Sequence, residues 1–242
     1  MLLGSRMMKN ILVIGGNSKL AKIFIKYYKY NTNLFITYRG KDDATIVEED
    51  GLKAYELNLG DISSVLNFVK KVSEINFDAV LFFASTYLED SRETNEYYRQ
   101  ILNDLKVNAL SPYIVSRELK VNHNCKFIFF GDSVVNQPRK NKHSYSLSKH
   151  SLEYVVQMLA IERRNEVATI CFRLGPTCPP ESVKDKDKYY YSNSAINVPN
   201  IAEGLIETID FIINKDNLNM TGAFIDYDAG FYLRNTPVNN LD

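Results

Sequence analysis

The sequence predicts an α/β fold, a single domain built on a doubly wound, mostly parallel sheet, and three observations lead there. Short apolar runs recur along the chain: NILVIG, NLFITY, AVLFFA, KFIFFG, ATICFRL and AFIDYD. Being apolar on both faces, they suit strands covered by helices on either side, the environment of a parallel sheet. Between them lie SKLAKIFIKYYK, ISSVLNFVKKVSE, YYRQILNDLKVNALSPYIVSREL and HSLEYVVQMLAIERR, each with apolar residues at threes and fours, so strand and helix patterns alternate. Finally, 242 residues at 45% hydrophobic content can bury one sizeable core, and no repeat or low-complexity linker divides them.

The 29 basic and 29 acidic side chains cancel, so no global field favours nucleic acid or an anionic membrane. A small neutral or phosphate-bearing molecule is the expected partner. Cys125, Cys171 and Cys178 are odd in number and lack zinc or disulfide spacing, which points to a reducing cytoplasm. His123, His143 and His150 are scattered without ligand spacing, so no metal is expected. The opening MLLGSRMMKN is too short in apolar residues for a signal sequence, and no later run approaches a membrane span. Residues 1–8 read as a flexible leader before a domain at 9–242. The segment 175–200 holds four of the seven prolines and a charge cluster, and reads either as a mobile lid or as a disordered surface loop.

In chain order, VIGGNSKLAKIF follows the first strand and opens the first helix, where a Rossmann-type dinucleotide fold sets its pyrophosphate against backbone N–H groups. Gly15 and Gly16 permit the tight turn. LFITYRGK ends the second strand with Tyr38-Arg39, where an acid would take the 2′-hydroxyl of NAD and an Arg accommodates the 2′-phosphate of NADP. Lys19 adds a second positive charge to the same phosphate. Together they favour NADPH. Asp42 and Asp43 read as caps of a following helix.

KFIFFG ends at Asp132-Ser133 and leads through a loop into a helix that begins with Tyr145 and Lys149. Residues four apart share a helix face, so both project into one cleft. A nearby ammonium favours the ionised form of a Tyr whose ordinary pKa is about 10, easing proton exchange.

With the glycine turn at the N-terminus, Asn108 in VNALSPY and Tyr145/Lys149 after the loop, the chain resembles the short-chain dehydrogenase/reductase family from Ile11 to about Leu233. The resemblance implies that Tyr145 donates a proton, Lys149 holds the nicotinamide ribose and lowers the Tyr pKa, and Asn108 orders a proton-relay water. It further implies cofactor contacts at Gly15, Gly16, Ser18, Lys19 and Leu20, at Arg39, at Asn58 and Leu59 in ELNLGD, at Ala84 and Ser85, and at Gly175 and Pro176 of RLGP. MTGAFIDYDAG matches the family's last strand.

In that family a Ser usually stands thirteen positions before the Tyr, and here 145 − 13 = 132 is Asp132. Ser133, one residue later, is expected to turn away from the cleft by strand alternation, unless a bulge at Gly131 shifts the register. An Asp there, with Lys19 in the turn, Arg39, Phe83-Ala84-Ser85 and Tyr87, resembles the pteridine reductase and dihydromonapterin reductase branch. Tyr87 corresponds to the aromatic residue that stacks on the pterin. A buried carboxyl, kept partly protonated, suits the polar edge of a pterin ring. The pattern departs from the family at Phe83, where that branch has Asn, at Ala21, where a third glycine stands, and at Asn58, often an Asp.

The expected activity is NADPH-dependent reduction of a dihydropterin to a tetrahydropterin. The alternatives are a short-chain carbonyl (ketone or enone) reductase and a non-catalytic NADP(H)-sensing regulator. The resemblance also implies a homotetramer, joined through helices around residues 95–120 and 145–162.

Overall fold

The computed structural model describes residues 8–40, 52–133, 135–137, 139–178, 194–196, 201–216 and 219–233. Residues 1–7 of the expected leader, Asp42 and Asp43, and positions 179–193 and 197–200 of the expected lid lie outside them.

Seven strands form the sheet: β1 (Asn10–Ile14), β2 (Asn33–Tyr38), β3 (Lys53–Glu56), β4 (Phe77–Phe82), β5 (Val121–Asp132), β6 (Val167–Leu174) and β7 (Ala223–Tyr227). Their order is β3-β2-β1-β4-β5-β6-β7, and every neighbouring pair is parallel. The chain runs outward from β1 to β3 and then crosses to β4 on the other flank of β1, so the crevice of a doubly wound sheet opens at the carboxyl ends of β1 and β4.

Helices cover both faces: α1 (Lys19–Tyr28), α2 (Ile62–Lys71), α3 (Thr94–Leu105), α4 (Ser111–Glu118), α5 (His143–Glu162) and α6 (Ile201–Asn214). Strand alternation divides the interior into two cores. Leu12 and Ile14 join Phe127, Phe129, Leu152 and Val156 under α2, α4 and α5. Ile11 and Val13 join Phe24, Ile128, Phe172 and Ile206 under α1 and α6. Each fully buried Leu, Ile or Phe contributes roughly 1.5–3 kcal/mol, so the β1 run, buried on both faces, anchors the two layers together.

Three features differ from the expected pattern. β3 was not among the predicted strands; KAYE is a short, half-exposed edge strand without the apolar run of its neighbours. Nor was α6 among the predicted helices, although Ile201, Leu205, Ile206, Ile209, Ile212 and Ile213 carry the spacing and are buried. The single helix expected over 97–119 is broken by a π turn at Lys106–Leu110, after which Pro112 stands in the first turn of α4. Among the described residues no helix is long and apolar enough to cross a membrane. Cys125 and Cys171 are buried and unpaired; burial pushes both thiols up, that of Cys171 to about 12.

Candidate active site

Carboxyl ends of β1, β2, β4, β5 and β6 meet the amino ends of α1 and α5, and the predicted site residues gather along this edge. After β1 the chain turns at Gly15, whose φ of +84° belongs to the left-handed region, and a Cβ there would lie 2.6 Å from the Ala84 nitrogen. Only glycine permits that approach. Gly15 and Gly16 donate their N–H groups to the Thr37 hydroxyl (3.0 Å) and carbonyl (2.9 Å). These bonds tie the turn to β2. The first turn of α1 follows, where Ser18 accepts from the Ala21 N–H at 3.1 Å and Lys19 and Leu20 open the helix, offering its positive end to an anion.

Arg39, just past β2, and Lys19 are both exposed at this edge. Asn58 uses its side-chain oxygen on the Gly60 N–H (3.0 Å), and the Leu59 carbonyl accepts from Ser111 Oγ (2.6 Å). The Ala84 N–H donates to the Ile14 carbonyl at 3.0 Å, and Ser85 is exposed. Gly175 lies against Asp228, whose Cβ is 2.6 Å from where a Cβ would stand, with Pro176 half-buried beside it. The bare glycine turn, the positive end of α1 and two cations suit a dinucleotide that carries an extra phosphate. Phe83 stacks on Phe130 (4.5 Å between centroids, 20°) in a row that continues to Phe172, so it packs the core beneath this edge. Ala21 is likewise fully buried against α1's own core.

The β5–β6 register runs without a bulge through Gly131 and Asp132. Asp132 therefore keeps the phase that a count of thirteen predicts, and Tyr145 Oη donates to Asp132 Oδ2 at 3.1 Å. Ser133 continues the ladder through its N–H to the Leu174 carbonyl (3.0 Å), while its hydroxyl is buried without a hydrogen-bond partner. Lys149 lies on the same face of α5, its Nζ donating to the Phe130 carbonyl at 2.8 Å and standing 5.7 Å from the Tyr145 ring centre.

The electrostatics differ from the expectation that Lys149 lowers the Tyr145 pKa. Burial, reinforced by the Asp132 carboxylate, holds the Tyr145 phenol well above its ordinary value, and the cation acting in the opposite sense is Arg139. Burial pulls Lys149 down to about 8. Tyr145 thus keeps its proton through the neutral range.

Arg139 carries no local sequence signal, yet its Nη2 donates to Asp132 Oδ1 at 3.1 Å, with both side chains largely buried. Asp132 thus accepts from Tyr145 on one oxygen and from Arg139 on the other.

Asn108 sits in the π turn, a distortion common at functional sites. Its Oδ1 accepts from the Thr86 N–H (2.9 Å) and Ser85 Oγ (3.1 Å), and its Nδ2 donates to Ser148 Oγ (2.8 Å). The amide ties the loop after β4 to α5.

Asp90, also without a sequence signal, fixes the start of α5 from that same loop. Its carboxylate accepts from the His143 N–H (2.7 Å), the Ser144 N–H (3.1 Å) and Ser144 Oγ (2.9 Å). Burial raises the Asp90 carboxyl, but these hydrogen bonds outweigh it and hold the pKa below the usual value. Tyr87, exposed, meets Tyr145 edge to face at 4.8 Å, and Lys142 Nζ stands 4.1 Å above the Tyr87 ring centre.

No protein-family model and no curated protein matches the chain. Solved structures do. A short-chain dehydrogenase from Burkholderia cenocepacia in complex with NADP superposes with a TM-score of 0.79 at 20% identity, over 93% of this chain and 98% of that one. A 4-hydroxyisoleucine dehydrogenase complexed with NADH gives 0.79 at 17% identity, over 93% and 99%. The angucycline C-6 ketoreductase LanV with bound NADP gives 0.76 at 17% identity, over 93% and 96%. The chain has the fold of the short-chain dehydrogenases and reductases.

Proposed function

We propose that the chain is an NADPH-dependent reductase of the short-chain type and that its substrate is a dihydropterin, reduced to the tetrahydro form. The observation that carries this reading is the 3.1 Å hydrogen bond from the Tyr145 phenol to Asp132, with Lys149 on the same helix face. Arg39 and Lys19 beside the glycine turn favour a cofactor with a 2′-phosphate, and similar structures are described with NADP or NADPH bound.

When bound, NADPH supplies a hydride to the carbon of a ring C=N bond. Tyr145 supplies the balancing proton to the ring nitrogen, and Arg139 offsets the negative charge then left on the phenol oxygen. Asp132, an acceptor in this geometry, receives a ring N–H, which a plain ketone does not offer. Tyr87, edge-on to Tyr145, forms the aromatic wall for a flat ring. Lys149 holds the nicotinamide ribose, and Asn108, Ser148 and Asp90 keep α5 in register with the loop that carries Tyr87.

A carbonyl reductase is the second reading, favoured by the ketoreductase and the putative β-ketoacyl-ACP reductase among the similar structures. A non-catalytic NADP(H) sensor would have no use for the Tyr145–Asp132 contact. The unpaired cysteines support a cytoplasmic location. The apolar side chains exposed on α3 and α5 suit assembly into a tetramer.

NADPH and NADH oxidation measured with dihydromonapterin, dihydrobiopterin, dihydrofolate and a panel of ketones separates these readings. Preference for NADPH with a dihydropterin is the expected result. Turnover confined to ketones would transfer the assignment to the carbonyl reductase, and no turnover of any substrate would favour the sensor.

A further inference from the structure

Little of the backbone holds the Tyr87 ring in place. Tyr87 stands in the irregular segment between β4 and α3, its side chain is exposed, and its hydroxyl makes no hydrogen bond among the described residues. The chain beyond it is fixed three residues later, where the Asp90 N–H donates to the Asn141 carbonyl at 2.9 Å and the Asp90 carboxylate binds the start of α5. The ring itself meets Tyr145 edge to face at 4.8 Å, and the Lys142 ammonium stands 4.1 Å above its centre. Lys142 Nζ is therefore no further from the Tyr145 ring centre than those two distances together.

Lys142 is half-buried at the N-cap of α5 and makes no capping bond. Among the described residues its ammonium makes no hydrogen bond or ion pair, and the Tyr87 ring is what it rests on. The charged groups around it are Glu89 and Asp90 from the loop after β4, Asp104 from α3 and Arg139 from its own loop. Asp90 is committed to α5 and Arg139 to Asp132.

We infer that Lys142 is a positioning residue whose ammonium, laid on the Tyr87 ring, holds that ring against Tyr145 and so sets the wall a flat substrate meets. This rests on the proposal that the cleft at Tyr145 is the substrate site. The attraction is that of a cation for the negative face of an aromatic ring, which a neutral side chain of similar length does not supply. The charge is also titratable. Burial, offset in part by Glu89 and Asp90, lowers the Lys142 pKa from its ordinary 10.5. The ammonium is present below the lowered value and lost above it, so the wall loosens at a pH where an exposed lysine is still charged.

The first test needs no turnover. In the full chain with NADP⁺ present, the nuclear Overhauser contact between the Tyr87 and Tyr145 rings should weaken at least twofold in Lys142→Met and persist in Lys142→Arg, which keeps a cation. Undiminished contact in Lys142→Met overturns the assignment, as does its loss in Lys142→Arg. The second test is steady-state kinetics with dihydrobiopterin. KM should rise about two- to fivefold in Lys142→Met, the worth of one cation–π contact, recover in Lys142→Arg, and leave KM for NADPH unchanged. As pH rises toward 10.5, KM of the unmutated chain should climb relative to that of Lys142→Arg. An unchanged KM in Lys142→Met, or one pH profile shared by the two cationic forms, overturns the assignment. Because the ring contact is read without turnover, a failure of the pterin reading in the oxidation assay is distinct from a failure here.

Discussion

Burial strips water from Lys149 and pulls its ammonium down to about 8, although a neighbouring carboxylate favours the charge. The unfolded chain therefore binds this proton more strongly than the folded one. The cost is fully present below pH 8 and is relieved as pH rises toward 10.5, the ordinary value of the side chain. Lys149→Met should accordingly unfold at higher urea concentration at pH 7, by up to ~3 kcal/mol, with the advantage shrinking above pH 8 and reductase activity lost. A loss of stability at pH 7 would mean that the Phe130 carbonyl contact outweighs desolvation. Tyr87→Ala should raise KM for a pterin by about 1 kcal/mol of lost aromatic contact and leave KM for NADPH unchanged, as steady-state kinetics would show. Asp132 was legible at this scale because a count of thirteen and strand phase place it. Arg139 was not. It stands in a run of bases with Lys140 and Lys142, and only the tertiary path of the loop selects one of them for Asp132.

The amino end of α5 has no capping side chain of its own, since Lys142 occupies the N-cap and makes no such bond. Asp90 supplies the cap from a loop more than fifty residues earlier, which couples helix stability to active-site geometry. Asp90→Ala should cost about 1 kcal/mol and lower kcat by misplacing Tyr145, without changing KM for NADPH. Its stability deficit should fade as pH falls below the ordinary 3.8 of an Asp, because the depressed carboxyl contributes above that value and is lost on protonation. Thermal melts across pH check both. Most elements with apolar runs or helical period were legible in the sequence, but α6 was missed although its buried isoleucines carry that period. β3 was hidden by its exposed edge position, and the Asp90 cap by its distance along the chain. The break at Lys106–Leu110 was hidden too, because helical period continues across a π turn.

Tyr98 and Leu102 on α3, with Leu147, Tyr154 and Ile161 on α5, are exposed in the single chain. Their burial against further copies is the basis for the proposed tetramer, and Tyr154→Glu should shift the sedimentation coefficient toward smaller species; a chain that sediments as a monomer without the substitution contradicts it. For the molecule as a whole, the doubly wound sheet brings the glycine turn, β5 and α5 to one edge, and the proposed chemistry depends on Asp132, not Ser133, sharing that edge with Tyr145. The direct test is NADPH oxidation with a dihydropterin by Asp132→Ala and Ser133→Ala side by side. Asp132→Ala should lower kcat by roughly 10²–10⁴-fold, because the proton donor Tyr145 loses the acceptor that holds it and the ring N–H loses its partner, and Ser133→Ala should stay near the unmutated rate. Abolished turnover in Ser133→Ala with little change in Asp132→Ala would contradict the assignment and make the ordinary carbonyl reductase the better description.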